Sequence, residues 1–276
     1  LRGPPTRPMD KNFIYGVHTI QEAFKALQRR CRKIVIEQGK TKPRLKSVLD
    51  QALAMGIRIE KLPQTVFQKK YQPYPHQGIV GYFNEKEILS LEAMVQKAFE
   101  ASKNPTVVIL DSIQDPQNLG AIIRSAEVLG IQGIILPKHR TASLNETVAK
   151  CSAGAVDHLP IAGVTNLNQA LKELKQADFW IVALDPRGEK PCYEFKFDMP
   201  TALLVGGEAK GIRPLLKKAC DFTVSIPVQG AVDSLNASAA SVVIFYEILR
   251  QKKTNCMQVF FELIVKTKGQ GLYDFT

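Results

Sequence analysis

The chain has 276 residues, of which 45% are hydrophobic and 23% are charged, and it carries a formal net charge of +11. This length and composition favour one large or two smaller soluble domains with a sizeable core. They exclude a membrane span, because no apolar run approaches the roughly 18 residues that one needs. Residues 1–8 contain no apolar segment typical of a secretory signal, and we interpret them as a remnant before a natural start at Met9.

The excess positive charge lies entirely in the first third of the chain. Residues 1–84 hold 16 Lys and Arg against 5 Asp and Glu, whereas residues 85–276 hold 21 of each. Such asymmetry indicates a polyanionic partner, most simply a nucleic acid. The alternative is a solvated basic surface that binds nothing.

Sulfur and imidazole side chains show no metal-binding pattern. The cysteines are odd in number and scattered, with no Cys-x-x-Cys pair, which favours reduced thiols in an intracellular protein over disulfides or zinc. None of the four histidines sits at metal-ligand spacing from another. We therefore predict no metal site at Cys31, Cys151, Cys192, Cys220 and Cys256 or at His18, His76, His139 and His158.

Residues 9–84 are predicted to form a small α/β domain. Apolar spacing and turn residues indicate three helices and three strands. The predicted helices are Val17–Leu27, Pro43–Met55 and Val66–Tyr71, and the predicted strands are Lys33–Glu37, Ile57–Leu62 and Gly78–Phe83. A charged helix at about Ser90–Ser102 is predicted within a linker, residues 85–104.

Basic side chains and aromatic rings alternate in this first domain. In RNA, unpaired bases stack on rings while phosphates pair with Lys and Arg. The alternative is that Pro73, Tyr74 and Pro75 merely stiffen a loop. The predicted RNA-binding residues are Arg29, Arg30, Arg32, Lys33, Lys69, Lys70 and Tyr71.

From Thr106 onward, short apolar strands alternate with helices. This pattern predicts a buried parallel sheet with helices on both faces, over residues 105–253. Residues 254–276 form a tail whose apolar run, Val259–Val265, is either an extra strand or a non-native extension. The predicted strands are Thr106–Leu110, Gly133–Leu136, Val156–Ile161, Phe179–Leu184, Thr201–Val205 and Phe222–Ile226; the predicted helices are Asn118–Leu129, Asn145–Cys151, Leu167–Gln176, Arg213–Ala219 and Ala237–Lys253.

Three loops that follow strands of this sheet contain residues suited to chemistry. The first, residues 115–124, has polar Asn118 and Arg124 in an otherwise apolar run. A guanidinium there can grip a phosphate in a fork, although Arg124 could instead pair with Glu127 one turn on.

The second loop, residues 204–212, is rich in glycine, which permits close backbone approach by a ligand. It matches neither a Walker loop nor the dinucleotide fingerprint. Glu208 is either a functional carboxylate or a charge that stabilises a helix N-terminus.

The third loop follows the strand that ends at Ile226. It contains Gly230 and then three residues that cap helices well, Ser234, Asn236 and Ser238. Because parallel strands present their carboxyl ends at one edge, we expect the three loops to lie together on one side of the sheet.

Taken together, the three loops resemble the motifs of the SpoU/TrmH class of SPOUT methyltransferases. The matching residues are Asn118 to Arg124, Gly206-Gly207-Glu208-x-x-Gly211 and Ser234-Leu235-Asn236. The resemblance runs from about Phe13 to Lys253. Phe13-Ile14-Tyr15-Gly16 and His76-Gln77-Gly78-Ile79-Val80 are similar to the substrate-binding domain of bacterial enzymes that methylate a guanosine ribose in large-subunit rRNA, and so are Asn145–Val148 and Cys151–Ala155.

The resemblance implies a deep trefoil knot, a homodimer, an rRNA substrate and S-adenosylmethionine bound in a bent conformation. It implies a cytoplasmic protein, or a mitochondrial or plastid one in a eukaryote. The implied cofactor-binding residues are Gly206, Gly207, Ile226, Leu235 and Asn236. The implied catalytic residues are Asn118, Arg124, Glu208, Ser234 and Asn236.

The family mechanism uses the arginine at position 124 as a base on the ribose 2′-hydroxyl. Arginine side chains stay protonated in proteins, so binding the phosphate and stabilising a developing alkoxide is the safer role. Two alternatives remain: the same chemistry on tRNA or another rRNA nucleotide, and a non-catalytic RNA-binding protein. An oxidoreductase is disfavoured because the dinucleotide fingerprint is missing.

Overall fold

The computed structural model describes residues 13–26, 31–39, 43–72, 74–139, 141–207 and 211–254, and from there only the helical backbone as far as residue 270. Several predictions lie outside these residues. They concern residues 1–8, Arg29, Arg30, Pro73, Cys256 and Glu208.

Within the described residues, the amino-terminal part forms a four-stranded sheet in the order β1-β4-β2-β3. β2 and β3 are parallel, and β4 is antiparallel to both of its neighbours. The strands are β1 (Phe13–Tyr15), β2 (Cys31–Glu37), β3 (Arg58–Leu62) and β4 (Ile79–Phe83), and the helices are α1 (Val17–Ala26), α2 (Pro43–Ala54) and α3 (Gln64–Tyr71). The sequence prediction found all of these except β1, which is too short to show alternation.

Side chains of β2 alternate between two cores, as the pleat of a strand requires. Ile34 and Ile36 face the core that contains the helices α1 and α2. Val35 faces an aromatic cluster that includes Phe67 and Tyr71. The small sheet is therefore covered on both faces.

The rest of the described chain builds a seven-stranded sheet in the order β7-β6-β5-β10-β8-β11-β9, with every pairing parallel. The predicted α/β fold is confirmed. Its strands are β5 (Thr106–Asp111), β6 (Gly133–Pro137), β7 (Ile161–Val164), β8 (Trp180–Leu184), β9 (Lys190–Pro191), β10 (Thr201–Gly206) and β11 (Phe222–Ser225). Its helices are α4 (Leu91–Ala101), α5 (Pro116–Val128), α6 (Glu146–Cys151), α7 (Leu167–Gln176), α8 (Pro214–Lys218) and α9 (Ala237–Gln270).

Helix α4, predicted within a linker, packs on the larger sheet. The Ser90 hydroxyl caps it by accepting a hydrogen bond from the Ala93 N–H at 3.2 Å. Its apolar face buries Met94 and Ala98 in the core on that side of the sheet.

One predicted strand was misplaced, and one of the two alternatives for the tail is not found. Residues 155–157 form a short 3-10 helix after Gly154, whose φ is 90°, and the strand begins only at Ile161. Pro160 lacks the N–H that a central strand needs, which explains the late start. The tail does not form a strand at Val259–Val265, because α9 continues through it to Gln270; no proline interrupts the helix and its one glycine, Gly269, lies at the end.

Candidate active site

A cavity opens at the carboxyl edge of the large sheet, where three loops and the start of α9 meet. Because all seven strands are parallel, the chain leaves each of them at this same edge. The lining residues are Leu184, Asp185 and Pro186 after β8; Val205, Gly206, Gly207, Gly211 and Ile212 around the end of β10; Ile226, Val228, Asp233, Ser234 and Leu235 after β11; and Ala237 and Ala240 of α9.

Glycine is required where the second loop folds back on itself. A Cβ on Gly206 would overlap the main-chain carbonyl carbon of Gly211, and one on Gly207 would overlap the carbonyl oxygen of Ser112. Gly211 has a φ of 58°, and its N–H donates to the Gly207 carbonyl at 2.8 Å. The loop therefore presents bare backbone to the cavity.

Four of the five predicted cofactor-binding residues line the cavity: Gly206, Gly207, Ile226 and Leu235. Asn236 is not among the lining residues. Its Oδ1 accepts hydrogen bonds from the N–H groups of Ser238 at 2.8 Å and Ala239 at 3.4 Å, which caps α9. Its Nδ2 donates to Oδ1 of Asn118 at 3.3 Å. Asn236 therefore ties the third loop to the first.

Asp115 caps helix α5, its carboxylate accepting from the Gln117 N–H at 2.9 Å. Pro116 follows at a position where a missing N–H costs nothing. Asn118 is thus held in the first turn of α5, and Arg124 lies six residues further on the same helix.

The predicted catalytic residues are only partly brought together. Ser234 is exposed and lines the cavity, and Asn118 contacts Asn236 just beside it. Arg124 is exposed and does not line the cavity. Within the described residues it makes no ion pair or hydrogen bond, so the alternative of a pair with Glu127 is not found.

The sequence analysis missed the loop after β8. The Asp185 carboxylate lines the cavity, pairs with the Lys217 Nζ at 2.8 Å and accepts from the Arg187 N–H at 2.8 Å. Burial raises the pKa of Asp185, but the contacts with Lys217 and Arg187 outweigh burial and the pKa lies below its ordinary value. The signal was present, since Asp185-Pro186 directly follows an apolar strand of the same sheet.

On the small domain, three of the predicted basic residues are exposed, but the predicted ring is not. Arg32, Lys69 and Lys70 are exposed. Tyr71 is only 2% exposed, and its hydroxyl lies 3.0 Å from that of Tyr82. Burial raises the pKa of Tyr71, helped by the contact with Tyr82. Its ring is therefore packed in the core and cannot stack on a base in this structure.

Lys33 lies at the edge of the same aromatic cluster. Its Nζ is 4.8 Å from the centre of the Tyr82 ring and pairs with Glu60 at 3.1 Å. Lys70 Nζ lies 5.3 Å from the centre of the Tyr71 ring. The aromatic rings thus hold lysine side chains at the surface, a cation–π arrangement.

The small sheet and its helices contact the larger unit directly. Glu22 of α1 meets the His158 Nε2 at 3.1 Å, and the Tyr74 hydroxyl donates to Glu146 of α6 at 3.1 Å. Lys150, also on α6, lies 5.7 Å from the centre of the Tyr15 ring. α6 itself packs on α5, where Gly120 leaves room for the Cβ of Cys151. The helix that carries Asn118 and Arg124 therefore adjoins the contact with the basic unit.

Two family models match this chain, one over the part with the small sheet and one over the part with the large sheet. Residues 13–89 match the model described as RNA 2′-O ribose methyltransferase substrate binding. Residues 105–246 match the model of the SpoU rRNA Methylase family. The chain belongs to the SpoU rRNA methylase family.

Curated relatives agree over nearly their whole length. YacO of Bacillus subtilis strain 168, named as a TrmH family tRNA/rRNA methyltransferase, is 35% identical over 241 residues, which cover 87% of this chain and 96% of YacO. A protein of Staphylococcus saprophyticus with the same family name is 35% identical over 244 residues, covering 88% and 97% of the two chains.

Solved structures match to a similar extent. The SpoU methyltransferase AviRb from Streptomyces viridochromogenes, in complex with AdoMet, has a TM-score of 0.73 at 26% identity and covers 87% of this chain and 89% of that chain. The AdoMet-bound rRNA methyltransferase from Sinorhizobium meliloti has a TM-score of 0.72 at 25% identity, with 86% of each chain covered. The predicted family is thus confirmed, and this chain is an RNA methyltransferase of the SpoU/TrmH family.

Other features bear on the remaining expectations. The cysteines that the structure describes, Cys31, Cys151, Cys192 and Cys220, are not in disulfides. Among the described residues, no group of three or more His, Cys, Asp or Glu side chains is arranged to hold a metal ion. No described helix is both long and apolar enough to cross a membrane.

Proposed function

We propose that this protein transfers a methyl group from S-adenosylmethionine to the ribose 2′-hydroxyl of a guanosine in large-subunit rRNA. The observation that carries the proposal is the convergence of the second loop (residues 204–212, the glycine loop), Ile226, Ser234 and Leu235 on one cavity, beside the Asn118–Asn236 contact. The match of residues 13–89 to a ribose methyltransferase substrate-binding model supports the choice of ribose over base.

The residues around the cavity suit S-adenosylmethionine. Backbone without side chains at Gly206 and Gly207 allows close approach, and Leu184, Ile226 and Leu235 offer apolar surface to a purine. Asp185 and Asp233 add carboxylates near a ligand that carries positive charge. When bound, the cofactor supplies a methyl group on a sulfonium, so transfer to oxygen neutralises the sulfur and makes it a good leaving group.

The chain's own residues then have to align and activate the hydroxyl. In our proposal the exposed Arg124 binds the RNA phosphate, and its charge also stabilises the ribose oxygen as the hydroxyl proton passes to solvent water. Asn118 and Asn236 hold the first and third loops in register, and Ser234 orients the ribose from the cavity wall. Glu208 remains a predicted catalytic residue of the second loop.

The proposal includes a homodimer and a trefoil knot, both implied by the family resemblance. Support for the dimer comes from an exposed apolar surface on α9 and the third loop. Val242, Val243 and Tyr246 are 42%, 41% and 59% exposed, and Val232 of the loop is 74% exposed. Exposed apolar side chains that share a surface mark interaction sites. Sedimentation should show a dimer for the wild-type protein and a shift to monomer for Val243→Glu. A monomeric wild-type protein would contradict the dimer, and an unchanged mass of Val243→Glu would contradict this interface.

We further propose a basic RNA-binding domain, residues 9–84, and a methyltransferase domain, residues 105–253. The predicted linker between them, residues 85–104, carries helix α4, which packs on the larger sheet and belongs with the methyltransferase domain. In this proposal the basic domain binds RNA and its contacts through Glu22 and Tyr74 place that RNA beside α6 and α5. The proposed location is the cytoplasm, in keeping with the free thiols.

A second substrate, tRNA, is kept because the curated relatives are named tRNA/rRNA methyltransferases. The deciding experiment supplies labelled S-adenosylmethionine with unmodified large-subunit rRNA, with assembling large subunits and with bulk tRNA, and maps the methylated nucleotide. Label on one rRNA guanosine supports our proposal. Label on tRNA alone overturns the substrate, and failure to bind S-adenosylmethionine would favour a non-catalytic RNA-binding protein.

A further inference from the structure

Asp111, the last residue of β5, has a buried carboxylate that is bonded to a residue of the loop after β10. The Asp111 side chain is 1% exposed. Arg213 Nε donates to Asp111 Oδ1 at 2.9 Å and to Oδ2 at 3.0 Å, and Arg213 Nη2 lies 2.9 Å from Oδ1. The Arg213 N–H donates to Oδ2 at 3.2 Å, and the Ser112 hydroxyl donates to Oδ1 at 3.0 Å. A buried carboxylate needs such partners, and here nearly all of them come from one arginine.

The same residue holds both ends of the glycine loop. At one end, the Gly207 N–H donates to the Asp111 carbonyl at 2.9 Å. At the other end, Arg213 grips the Asp111 side chain, one residue after Ile212 and two after Gly211, which both line the cavity. Asp111 therefore holds residues on both sides of the loop, in addition to the hydrogen bond from Gly211 to Gly207 that joins its two ends.

The segment of the chain that connects β5 to helix α5 begins directly after Asp111. The next residue, Ser112, has a φ of 65°, an uncommon conformation for a residue with a side chain. Its carbonyl lies where a Cβ on Gly207 would have to be. Three residues later Asp115 caps α5, which carries Asn118 and Arg124. Asp111 and Ser112 therefore contact the second loop and begin the segment that leads to the first loop.

We infer that the Asp111–Arg213 pair positions the glycine loop for the cofactor and keeps it in register with the start of α5. Neither residue lines the cavity, so both are positioning residues rather than catalytic ones. An ion pair with a buried carboxylate is a weak source of stability, because desolvation offsets the attraction. Its forked geometry specifies instead where the two ends of the loop lie. The inference rests on the proposed cofactor site.

The test measures S-adenosylmethionine binding to the whole protein by calorimetry for Arg213→Gln, Arg213→Lys and the control Lys175→Gln. The control removes another ion pair of the same domain, Lys175 Nζ to Asp221 at 2.6 Å, that does not reach the cavity. Each variant is measured at a temperature at which circular dichroism shows it folded.

We expect Arg213→Gln to weaken cofactor binding roughly tenfold, the scale of a lost buried charge contact, and Arg213→Lys to weaken it less. The control keeps wild-type cofactor affinity, and all variants keep wild-type affinity for RNA. In methyl-transfer assays, Arg213→Gln raises the KM for the cofactor and not that for RNA. A purely structural role would lower thermal stability without changing either the affinity or the KM for the cofactor.

Cofactor affinity within twofold of wild type in folded Arg213→Gln overturns the inference. If Arg213→Gln does not fold, Arg213→Lys decides, since it keeps the charge but cannot make the forked contact. Weaker cofactor binding then supports the inference and unchanged binding overturns it. Failure of the wild-type protein to bind the cofactor would reject the proposed function itself, which separates the two failures.

Discussion

The side-chain amide of Asn236 donates a hydrogen bond to Asn118 across 3.3 Å, and this contact joins the first turns of α9 and α5. The same side chain caps α9 with its other polar atom. One residue therefore serves both the stability of a helix and the alignment of two loops, and the two roles can be separated.

Asn236→Ala removes the cap and the contact, whereas Asn236→Asp keeps an oxygen for the cap and removes the amide donor. We expect Asn236→Ala to lower the free energy of unfolding by about 1 kcal/mol, and Asn236→Asp to change it by only a few tenths. Both variants should lose methyl-transfer activity. Urea denaturation and the labelled-methyl assay check this, and a fully active Asn236→Asp would show that the Asn118 contact is dispensable.

Arg124→Ala should abolish methyl transfer and leave cofactor binding intact. Arg124 is exposed and lies outside the cavity lining, so its loss removes phosphate binding and charge stabilisation without disturbing the cofactor. The expected loss in kcat is at least about a hundredfold. Lys172→Ala, an exposed cation on α7, serves as the control and should remain active. Normal turnover by Arg124→Ala would remove this residue from the mechanism.

Gly206→Ala should prevent cofactor binding. The added Cβ would overlap main-chain atoms of Gly211 and Ile212, which cannot rotate away as a side chain would. Gly230→Ala is a suitable comparison in the third loop, because its Cβ would meet only the Val232 N–H region at 3.9 Å. Calorimetric titration with S-adenosylmethionine should show no binding for the first variant and near-normal binding for the second. Equal affinities would mean that the glycine loop does not contact the cofactor.

Lys252 gives the stability of the protein a pH dependence in the alkaline range. Its Nζ donates to the Asn104 carbonyl at 2.8 Å and to Thr106 Oγ1 at 2.9 Å, and burial lowers its pKa from 10.5 to about 8. Between pH 8 and 10.5 the unfolded chain binds more protons than the folded chain, so the free energy of unfolding rises with pH across this range.

Lys252→Met removes this titration. Relative to that variant, the wild-type protein should gain about 2.5 kcal/mol of stability as the pH rises from 8 to 10.5. Chemical denaturation of both proteins at several pH values measures the difference. Parallel curves for the two proteins would show that Lys252 is not desolvated in solution.

Exposed lysines of the small domain should control RNA affinity. Lys69→Ala with Lys70→Ala is expected to weaken RNA binding and reduce the slope of log affinity against log salt by about 1.4, as two lost phosphate contacts predict. Lys97→Ala with Lys103→Ala, two exposed lysines elsewhere, is the matched control. Tyr71→Leu, measured where circular dichroism shows it folded, should leave RNA affinity unchanged, because the ring is buried and does not stack on a base. A large effect of Tyr71→Leu with none of the lysine pair would reverse this assignment.

Local patterns in the sequence were sufficient for most of the elements and for the edge of the sheet at which the candidate site lies. Alternation of apolar strands with helices predicted the parallel sheet, and a parallel sheet places the loops after Asp111, Gly206 and Ser225 at one edge. Asn236 was one of three residues predicted to cap the apolar helix that follows, together with Ser234 and Ser238, and in the structure Asn236 is the cap. These features depend on residues close together in the chain, which is why the sequence alone determined them.

The tertiary structure decided what depends on pairing between distant segments. The register of β10 against β5 places Gly206 beside Asp111, and the return of the chain brings Arg213 to that carboxylate. Sequence spacing across about a hundred residues carries no information about such a contact. The same limit applied to Tyr71. Its basic neighbours in the sequence predicted an exposed ring, but the ring is buried because α3 packs on the sheet. The chemistry of each side chain is known from the sequence, whereas its burial and its contacts depend on how the strands and helices pack together.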